Sequence, residues 1–194
     1  MVRGRVRGGV KVGRAVKAEG GKWFSTPAFL ECDAMRKVRI LFVCMGNICR
    51  SPSAEGVMRK LIDEAGLQEF IEIDSAGTSD YHIGAAPDSR SQEAALRRGY
   101  DLAALRARQV SDDDFRNFDF LVAMDKSNLT LLQRRCPPSL QGKLHLMMQY
   151  AERSGAVEVP DPYYEGAHGF EMVLDYLEDA CSGLLRQLRA GKGE

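Results

Sequence analysis

Short apolar runs alternate with segments of helical periodicity along most of this chain, and that alternation limits the folds open to it. The predicted strands are 38–44, 70–74, 119–125 and 143–150. The predicted helices are 53–66, 91–101, 111–118, 126–136 and 170–188. Continuous apolar runs are typical of strands buried on both faces, and strands that alternate with helices form parallel sheets through right-handed crossovers. The sequence therefore predicts an α/β fold with helices on both faces of a parallel sheet.

The first 34 residues differ in composition from the rest of the chain. They carry seven Lys or Arg residues and three acids, are rich in Gly and Val, and lack a sustained period. This composition is typical of a disordered segment, so we expect a basic extension over 1–34 and one domain over 35–194. Its role stays open between a solvated tail, a contact with nucleic acid or an anionic membrane, a targeting segment, and an upstream start with Met35 as the natural first residue.

Cysteine usage and hydropathy indicate the compartment. The five cysteines are odd in number and unevenly spaced, which argues against the disulfide framework of a secreted protein. No apolar run approaches the roughly 20 residues that cross a bilayer, and the N-terminus lacks the apolar core of a secretory signal. We therefore expect a cytoplasmic protein with free thiols and no membrane span, present as a monomer or weak homo-oligomer.

The turn after the first predicted strand, "CMGNICR" at 44–50, has the features of an oxyanion-binding loop. A loop of this length can point successive backbone N–H groups at a tetrahedral anion, and the helix behind it adds positive potential. Gly46 and Asn47 tolerate backbone conformations that other residues resist. Arg50 has a planar fork that binds two oxygens at once. The same positive environment favours the thiolate form of Cys44, which is a nucleophile.

The helix after this turn has recognisable end signals. Ser51 is the predicted N-cap, Pro52 lies in the first turn, and Gly66 is the predicted stop. The Ser51 hydroxyl can also donate to a Cys44 thiolate. The spacing of a cysteine and an arginine is by itself a short pattern with many chance matches, so the flanking strand and helix are what favour a phosphate-binding loop.

A second segment, "VPDPYYEG" at 159–166, offers a proton donor. Phosphoryl transfer from an ester requires a proton for the leaving oxygen. Asp161 stands between two prolines and precedes Tyr163 and Tyr164. A carboxylic acid beside aromatic rings is partly desolvated, which favours its protonated form. Taken alone, the segment fits an ordinary Asp-Pro turn with packed tyrosines better than a catalytic acid.

Together, "VCMGNICRSPSAE" at 43–55 and "DPYY" at 161–164 resemble the low-molecular-weight protein tyrosine phosphatase family. The segments 73–88, 107–110 and 119–129 follow the order of that family, so the likeness covers about 36–189. The resemblance implies a three-layer α/β sandwich whose four-stranded parallel sheet carries the phosphate-binding loop after strand one. It also implies a metal-independent hydrolase without a cofactor, whose partners are phosphotyrosine-containing proteins or peptides and not nucleic acid.

The resemblance assigns roles by position. Cys44 becomes the nucleophile that forms a phosphocysteine, and Arg50 binds the phosphoryl oxygens. Asp161 protonates the leaving oxygen and then activates water. The positions expected to contact substrate are Met45, Gly46, Asn47, Ile48, Cys49, Ser51, Tyr81, Tyr163 and Tyr164. Ser75 is expected to support the loop, in one network with the side chains of Asn47 and Ser51.

Two positions bear on how the family pattern applies here. Many family members have a histidine in the loop-supporting network at the position of Leu105, so loop rigidity is expected to differ. Cys49 matches a position that can form a disulfide with the nucleophile. The resemblance therefore implies a reversible Cys44–Cys49 bond that protects Cys44 from over-oxidation.

Other functions remain open at this point. Arsenate reductase shares the loop but needs relay cysteines, and no cysteine lies between Cys49 and Cys136. Protein-arginine phosphatases of this fold carry a threonine where Ile48 stands. A module that only binds phosphotyrosine would have discarded Cys44 or Asp161. A zinc site would need a second pair of ligands, which the sequence does not supply.

Overall fold

The computed structural model describes residues 15–17, 23–25 and 37–191. In the N-terminal part, strand β1 (Ala15–Lys17) pairs with strand β2 (Trp23–Ser25) in antiparallel orientation. The rest of the expected extension over 1–34 lies outside the described residues. The division into that extension and a domain over 35–194 stays a prediction.

A four-stranded parallel sheet forms the centre of the fold, as predicted. Its strands are β3 (Val38–Cys44), β4 (Ile71–Gly77), β5 (Phe120–Ala123) and β6 (Leu144–Leu146). Their order is β4-β3-β5-β6, and each neighbouring pair is parallel. The helices are α1 (Arg50–Ala65), α2 (Ser89–Arg97), α3 (Asp112–Asn117), α4 (Lys126–Arg135) and α5 (Gly166–Ala190). Because all four strands point the same way, their carboxyl ends form one edge, where such folds bind ligands.

Strand β3 lies in the middle of the sheet and is buried on both faces. Leu41 and Val43 belong to an apolar cluster with Phe115 and Leu132, on the side of α3 and α4. Side chains alternate between faces along a strand, so Ile40 and Phe42, both fully buried, pack on the other side. This burial fixes the register of β3 and hence the position of the loop that follows it.

Two predicted elements differ from the structure. The strand expected over 143–150 is only Leu144–Leu146, followed by a 3₁₀ turn over Met147–Tyr150. The Gln149 side chain accepts a hydrogen bond from the Leu146 N–H at 3.4 Å, which ends the extended segment there. Ser51 is not the N-cap of α1, which begins one residue earlier at Arg50 after Cys49. Its hydroxyl is engaged inside the loop.

The remaining boundaries agree with the sequence to within a few residues. Gly66 ends α1 in the left-handed conformation, with φ of 66°. Ser111 precedes α3, and its N–H donates to Asp114 at 2.7 Å. Within the described residues, no helix is long and apolar enough to span a membrane.

Candidate active site

The loop over 44–50 leaves the carboxyl edge of β3 and turns directly into α1. Three of its carbonyl oxygens accept hydrogen bonds from segments outside the loop, at 2.7 to 2.9 Å. These pairs are Thr78 N–H to Cys44, Ser79 N–H to Met45 and Asp88 N–H to Ile48. Because the N–H of a peptide group points opposite to its C=O, the N–H groups after these carbonyls point into the loop. Together with the N-terminus of α1, they form a binding site for an oxyanion.

Asn47 holds the loop in shape through its backbone and its side chain. Its φ of 55° is the only positive φ of a non-glycine residue among those described. The side-chain NH₂ donates to the hydroxyls of Ser51 and Ser75, both at 2.9 Å. Its carbonyl oxygen accepts from the backbone N–H of Arg108 at 2.9 Å. The buried amide therefore has all its polar atoms paired, so the strained backbone is supported by three hydrogen bonds.

The thiol of Cys44 lies at the bottom of this loop. Its Sγ accepts the Asn47 N–H at 3.2 Å and lies 3.1 Å from the Ser51 hydroxyl. The same hydroxyl accepts a hydrogen bond from the Asn47 side chain and lies 3.3 Å from the Ala76 carbonyl, so its one proton can be donated to the sulfur or to that carbonyl. Hydrogen bonds donated to the sulfur favour a thiolate, the nucleophilic form.

Glu55, on the first turns of α1, extends this network into the protein. The Ser75 hydroxyl donates to Glu55 Oε2 at 2.7 Å, and Glu55 also pairs with Arg59 one turn along the helix. Only 4% of Glu55 is exposed, and burial raises the pKa of its carboxyl above the usual value. A continuous series of hydrogen bonds therefore runs from Glu55 through Ser75 and Asn47 towards Cys44.

Arg50 is buried behind the loop and has three acceptors. Its Nη1 donates to Asp125 at 2.6 Å and to the Val159 carbonyl at 3.1 Å, and its Nη2 donates to Asp161 at 2.9 Å. Burial disfavours the charged guanidinium, but the Cys44 sulfur and the two carboxylates outweigh it, so the pKa of Arg50 is raised. The guanidinium is a permanent positive charge beside the thiol.

Asp161 reaches the site from an exposed segment. One carboxylate oxygen accepts from Arg50, and the other accepts the N–H of Tyr163 at 3.2 Å. The side chain is 42% exposed. The sequence predicted a partly desolvated acid held over a cleft beside aromatic rings, and the structure shows in addition that this side chain pairs with Arg50. The intervening Pro162 begins a short 3₁₀ turn that leaves the carboxylate at its open end.

The loop and this segment border a cleft of about 220 Å³. Its lining residues are Cys44, Met45, Gly46, Ile48, Cys49, Arg50, His82, Asp161, Tyr163 and Tyr164. The rings of Tyr163 and Tyr164 meet edge to face with centroids 5.0 Å apart. The structure therefore brings most of the expected site residues to one cavity. Ser51 and Ser75, with the Asn47 side chain, lie behind it as support.

Tyr81 does not line the cleft, although the sequence placed it there. Its side chain is 86% exposed, and the neighbouring His82 takes the lining position instead. A Cβ atom on Gly46 would lie 3.0 Å from the His82 ring, so glycine is what allows the imidazole this close to the loop. No pattern in the residues around His82 indicates that it, and not the adjacent Tyr81, lines the cleft.

Cys49 lines the cleft beside the nucleophile but has a different environment. Burial raises the pKa of its thiol to about 12, so it is neutral at ordinary pH. The described cysteines are free thiols. The expected Cys44–Cys49 disulfide therefore stays a prediction.

Two further contacts were missed by the sequence interpretation. Asp125 follows the third sheet strand and binds both Arg50 and the N–H of Asn128, at 2.6 Å each. Its position at the carboxyl end of a buried strand was the available signal.

Among the described residues, no group of three His, Cys, Asp or Glu side chains is placed to hold a metal ion.

A thiol, a buried arginine and a carboxylate around an oxyanion-binding loop can together bind a phosphoryl group and displace its ester oxygen. Comparison with known proteins agrees with this class of site. The model of the low molecular weight phosphotyrosine protein phosphatase family matches residues 39–193. The chain belongs to that family of hydrolases.

Individual relatives cover the same part of the chain. A Synechocystis protein named as a low molecular weight protein-tyrosine-phosphatase is 49% identical over 152 residues, which is 78% of this chain and 96% of the relative. A crystal structure of an Entamoeba histolytica protein tyrosine phosphatase with Hepes in its active site is 45% identical, with a TM-score of 0.79, and covers 81% of this chain and 100% of its own. A Drosophila arginine phosphatase is 32% identical, with a TM-score of 0.72, over 77% of this chain and 97% of its own.

Proposed function

We propose that this protein hydrolyses phosphotyrosine in proteins or peptides, and small aryl phosphates, through a cysteinyl-phosphate intermediate. The observation that carries the proposal is the convergence of Cys44, Arg50 and Asp161 on one cleft at the carboxyl edge of the sheet. The family supplies further support. No metal or cofactor is assigned a role in this mechanism.

Substrate binding exchanges the partners of Arg50. Its Nη1 donates to Asp125 and to the Val159 carbonyl. Among the described residues, its Nη2 donates to the exposed Asp161 alone. A phosphoryl oxygen can replace Asp161 at Nη2 and bind the inward N–H groups of the loop. Arginine suits this exchange because its fork binds phosphate and a structural acceptor at once.

The first chemical step transfers the phosphoryl group to the enzyme. The Cys44 thiolate attacks phosphorus, an S–P bond forms, and the P–O bond to the aryl group breaks. Asp161, released from Arg50 and protonated, gives its proton to the leaving oxygen. The loop N–H groups and Arg50 stabilise the charge on the transferred oxygens.

The second step restores the enzyme. The Asp161 carboxylate takes a proton from a water molecule, whose oxygen attacks phosphorus. The S–P bond breaks, Cys44 returns to the thiolate, and inorganic phosphate leaves. Asp161 ends this step with the proton that it needs for the next leaving group.

The cleft walls support aryl substrates. Tyr163 and Tyr164 form an edge-to-face pair, and Ile48 adds an aliphatic side chain on the loop. A flat phenyl ring can pack against such an aromatic wall, and contacts of this kind contribute about 0.5–1.5 kcal/mol beyond area burial. The charged guanidinium of phosphoarginine, which is joined to phosphorus through a P–N bond, would gain less from Ile48.

The Drosophila arginine phosphatase favours a second candidate, protein-arginine phosphatase activity. That structure shares the fold at lower identity than the tyrosine phosphatase relatives, so it supports the alternative only weakly. The residue that separates the two is Ile48, at which arginine-specific relatives are expected to have threonine. Arsenate reduction would need relay thiols, and Cys136 is buried at the end of α4.

A substrate panel tests the proposal. The purified chain is assayed with phenyl phosphate, a phosphotyrosine peptide, a phosphoarginine peptide, and arsenate with a thiol reductant, all in the presence of a chelator. We expect the highest kcat/KM for the phosphotyrosine peptide and no loss with the chelator. A preference of the unmodified chain for the phosphoarginine peptide, or turnover that needs added metal, would contradict the proposal.

A further inference from the structure

Arg90, at the start of α2, connects the phosphate-binding loop to the segment that carries Asp161. It has acceptors on both sides, namely Asp88 towards the loop and the Tyr163 carbonyl towards the segment. This residue was not part of the sequence interpretation and has no place in the reaction steps above. Its contacts suggest what determines where the Asp161 carboxylate lies.

On the loop side, Asp88 forms a rigid connection. Its N–H donates to the Ile48 carbonyl at 2.7 Å, which ties it to the loop backbone. Its carboxylate accepts Arg90 Nε at 3.0 Å and Nη2 at 2.8 Å, and also the Arg90 N–H at 2.9 Å as the cap of α2. A two-pronged pair of this kind fixes the plane of the guanidinium.

On the other side, Arg90 binds the segment after Asp161. Its Nη1 donates to the Tyr163 carbonyl at 3.1 Å. The guanidinium also lies over the Tyr163 ring at 5.2 Å and the Phe170 ring at 4.7 Å, within the range of cation–π contacts. The N–H of Tyr163 in turn donates to Asp161 Oδ1 at 3.2 Å. Tyr163 therefore joins Arg90 to the carboxylate.

This connection gains importance once a phosphoryl group binds. Asp161 has two contacts in the structure, Arg50 and the Tyr163 N–H. The first is exchanged for a phosphoryl oxygen in the proposed mechanism, so the second is the one that still locates the carboxylate. Proton transfer needs heavy atoms within hydrogen-bond reach, and a misplacement of about 1 Å can cost on the order of 100-fold in rate.

We propose that Arg90 is a positioning residue, which holds the Asp161 carboxylate in place for proton transfer by linking Asp88 on the loop side to the Tyr163 carbonyl. The inference rests on the proposed function, because it assigns Arg90 a part in the work of Asp161. It predicts that the loss of Arg90 is felt most where protonation of the leaving oxygen matters most.

The experiment measures kcat/KM for phenyl phosphate and for 4-nitrophenyl phosphate, whose leaving group needs little protonation. The variants are Arg90→Ala, Arg90→Lys, Asp161→Asn and the double variant. Arg97→Ala is the matched control, since Arg97 lies on the same helix and pairs with Glu171 away from the segment. Thermal unfolding of each variant checks that the fold is retained.

We expect Arg90→Ala to lower kcat/KM by about 10-fold for phenyl phosphate and by about twofold for 4-nitrophenyl phosphate, a fraction of the full effect of a general acid. Arg90→Lys should recover only part of the loss for phenyl phosphate. The positive charge is kept, but an ammonium cannot bind both acceptors in one plane. Arg97→Ala should resemble the unmodified chain. In the Asp161→Asn background, Arg90→Ala should no longer change the ratio of the two substrates.

Equal losses for both substrates, or a change of ratio that persists without Asp161, would overturn the role of Arg90 and leave the proposed function intact. If Asp161→Asn itself affects both substrates equally, the general-acid step is wrong, and the role of Arg90 falls with it. The two failures are thus distinguishable.

Discussion

The phosphate-binding loop and the segment that carries Asp161 face each other across one cleft but are built in opposite ways. The loop joins a strand that is buried over its last five residues to a helix, and it is held by the hydrogen-bond network around Asn47. The segment is exposed, with Tyr164 at 93% exposure, and contacts the loop side through Arg50 and Arg90.

This difference matches the two tasks. The nucleophile and the oxyanion donors must already be in place when charge develops, because reorganising them during the reaction would cost the stabilisation they provide. The acid must instead change partners, from Arg50 to the leaving oxygen and then to water. We therefore expect variants that remove the hydrogen bonds of the loop, such as Asn47→Ala, to affect the fold and the chemistry together, and variants in the segment to affect the chemistry alone.

The largest effect is expected at the thiol. Cys44→Ser should lower the turnover of aryl phosphates by at least about 10⁴-fold, because a hydroxyl at this position is not an ionised nucleophile. The melting temperature should stay nearly unchanged, since the substitution is small. Cys136→Ser, at a buried cysteine outside the cleft, is the matched control and should keep its activity. Residual turnover close to that of the unmodified chain would rule out Cys44 as nucleophile.

The next largest effect concerns the segment. Asp161→Asn should lower kcat/KM by about 100-fold for phenyl phosphate and by about 10-fold or less for 4-nitrophenyl phosphate, as the contribution of a general acid depends on the leaving group. Steady-state kinetics with both substrates measure the two losses. The melting temperature of Asp161→Asn should be little changed, in contrast to that of Asn47→Ala in the loop. If Asp161→Asn lost as much stability as Asn47→Ala, the proposed difference between the loop and the segment would be wrong.

A stability test addresses the loop. Asn47→Ala removes three hydrogen bonds and leaves a left-handed backbone on an alanine, so we expect about 2–3 kcal/mol lower stability. In a chain of this size that corresponds to about 4–10 °C in the melting temperature.

Two further variants separate the causes. Asn47→Gly relieves the backbone strain but not the lost hydrogen bonds, and should recover about 1 kcal/mol. Tyr164→Ala, on the exposed segment, should change stability by less than about 0.5 kcal/mol. Equal effects of Asn47→Ala and Tyr164→Ala would show that the loop is not the rigid half of the site.

The smallest effect is expected at the inner end of the loop network and depends on pH. Burial raises the pKa of Glu55 in the folded chain above its usual value. Its protonated form therefore contributes stability that is fully present below the usual pKa and is lost as pH rises through the raised one. The melting temperature of the unmodified chain relative to Glu55→Gln should accordingly fall as the pH rises above the usual pKa of a glutamate.

Glu93→Gln, at an exposed carboxylate that pairs with Arg97 on α2, is the control and should show no comparable trend. If the difference in melting temperature between the unmodified chain and Glu55→Gln did not vary with pH, the protonation of Glu55 would not be linked to folding. A difference that rises with pH would mean that the network stabilises its ionised form.

How far the sequence predicts this site also differs between the two regions. The loop is encoded locally, so Cys44, Asn47 and Arg50 could be assigned from strand, turn and helix signals within a few residues. Asp161 could also be assigned from its own segment, but neither its pairing with Arg50 nor that of Asp125 could be predicted. These carboxylates lie 111 and 75 residues from the arginine in the chain and meet it only in the fold.

The errors have similar causes. Ser51 has the residue type of a helix cap, but the local pattern does not show the competing donor, which is the side-chain NH₂ of Asn47. Tyr81 and His82 are neighbours in the chain, and the close approach of the His82 ring to Gly46 is a contact of the fold that the sequence does not show. The predicted strand over 143–150 is too long, because the buried side chains of the 3₁₀ turn continue the apolar pattern of the strand.

The central claim is that Cys44 carries the phosphoryl group during turnover. The Asp161→Asn variant lacks the base that activates water in the second step, so a phosphoenzyme should accumulate when 4-nitrophenyl phosphate is the substrate. Rapid denaturation followed by peptide mass analysis locates the modification. We expect one phosphoryl group on Cys44 and none in the Cys44→Ser, Asp161→Asn double variant. A phosphoryl group on another residue, such as His82, or turnover without any covalent adduct, would contradict the account.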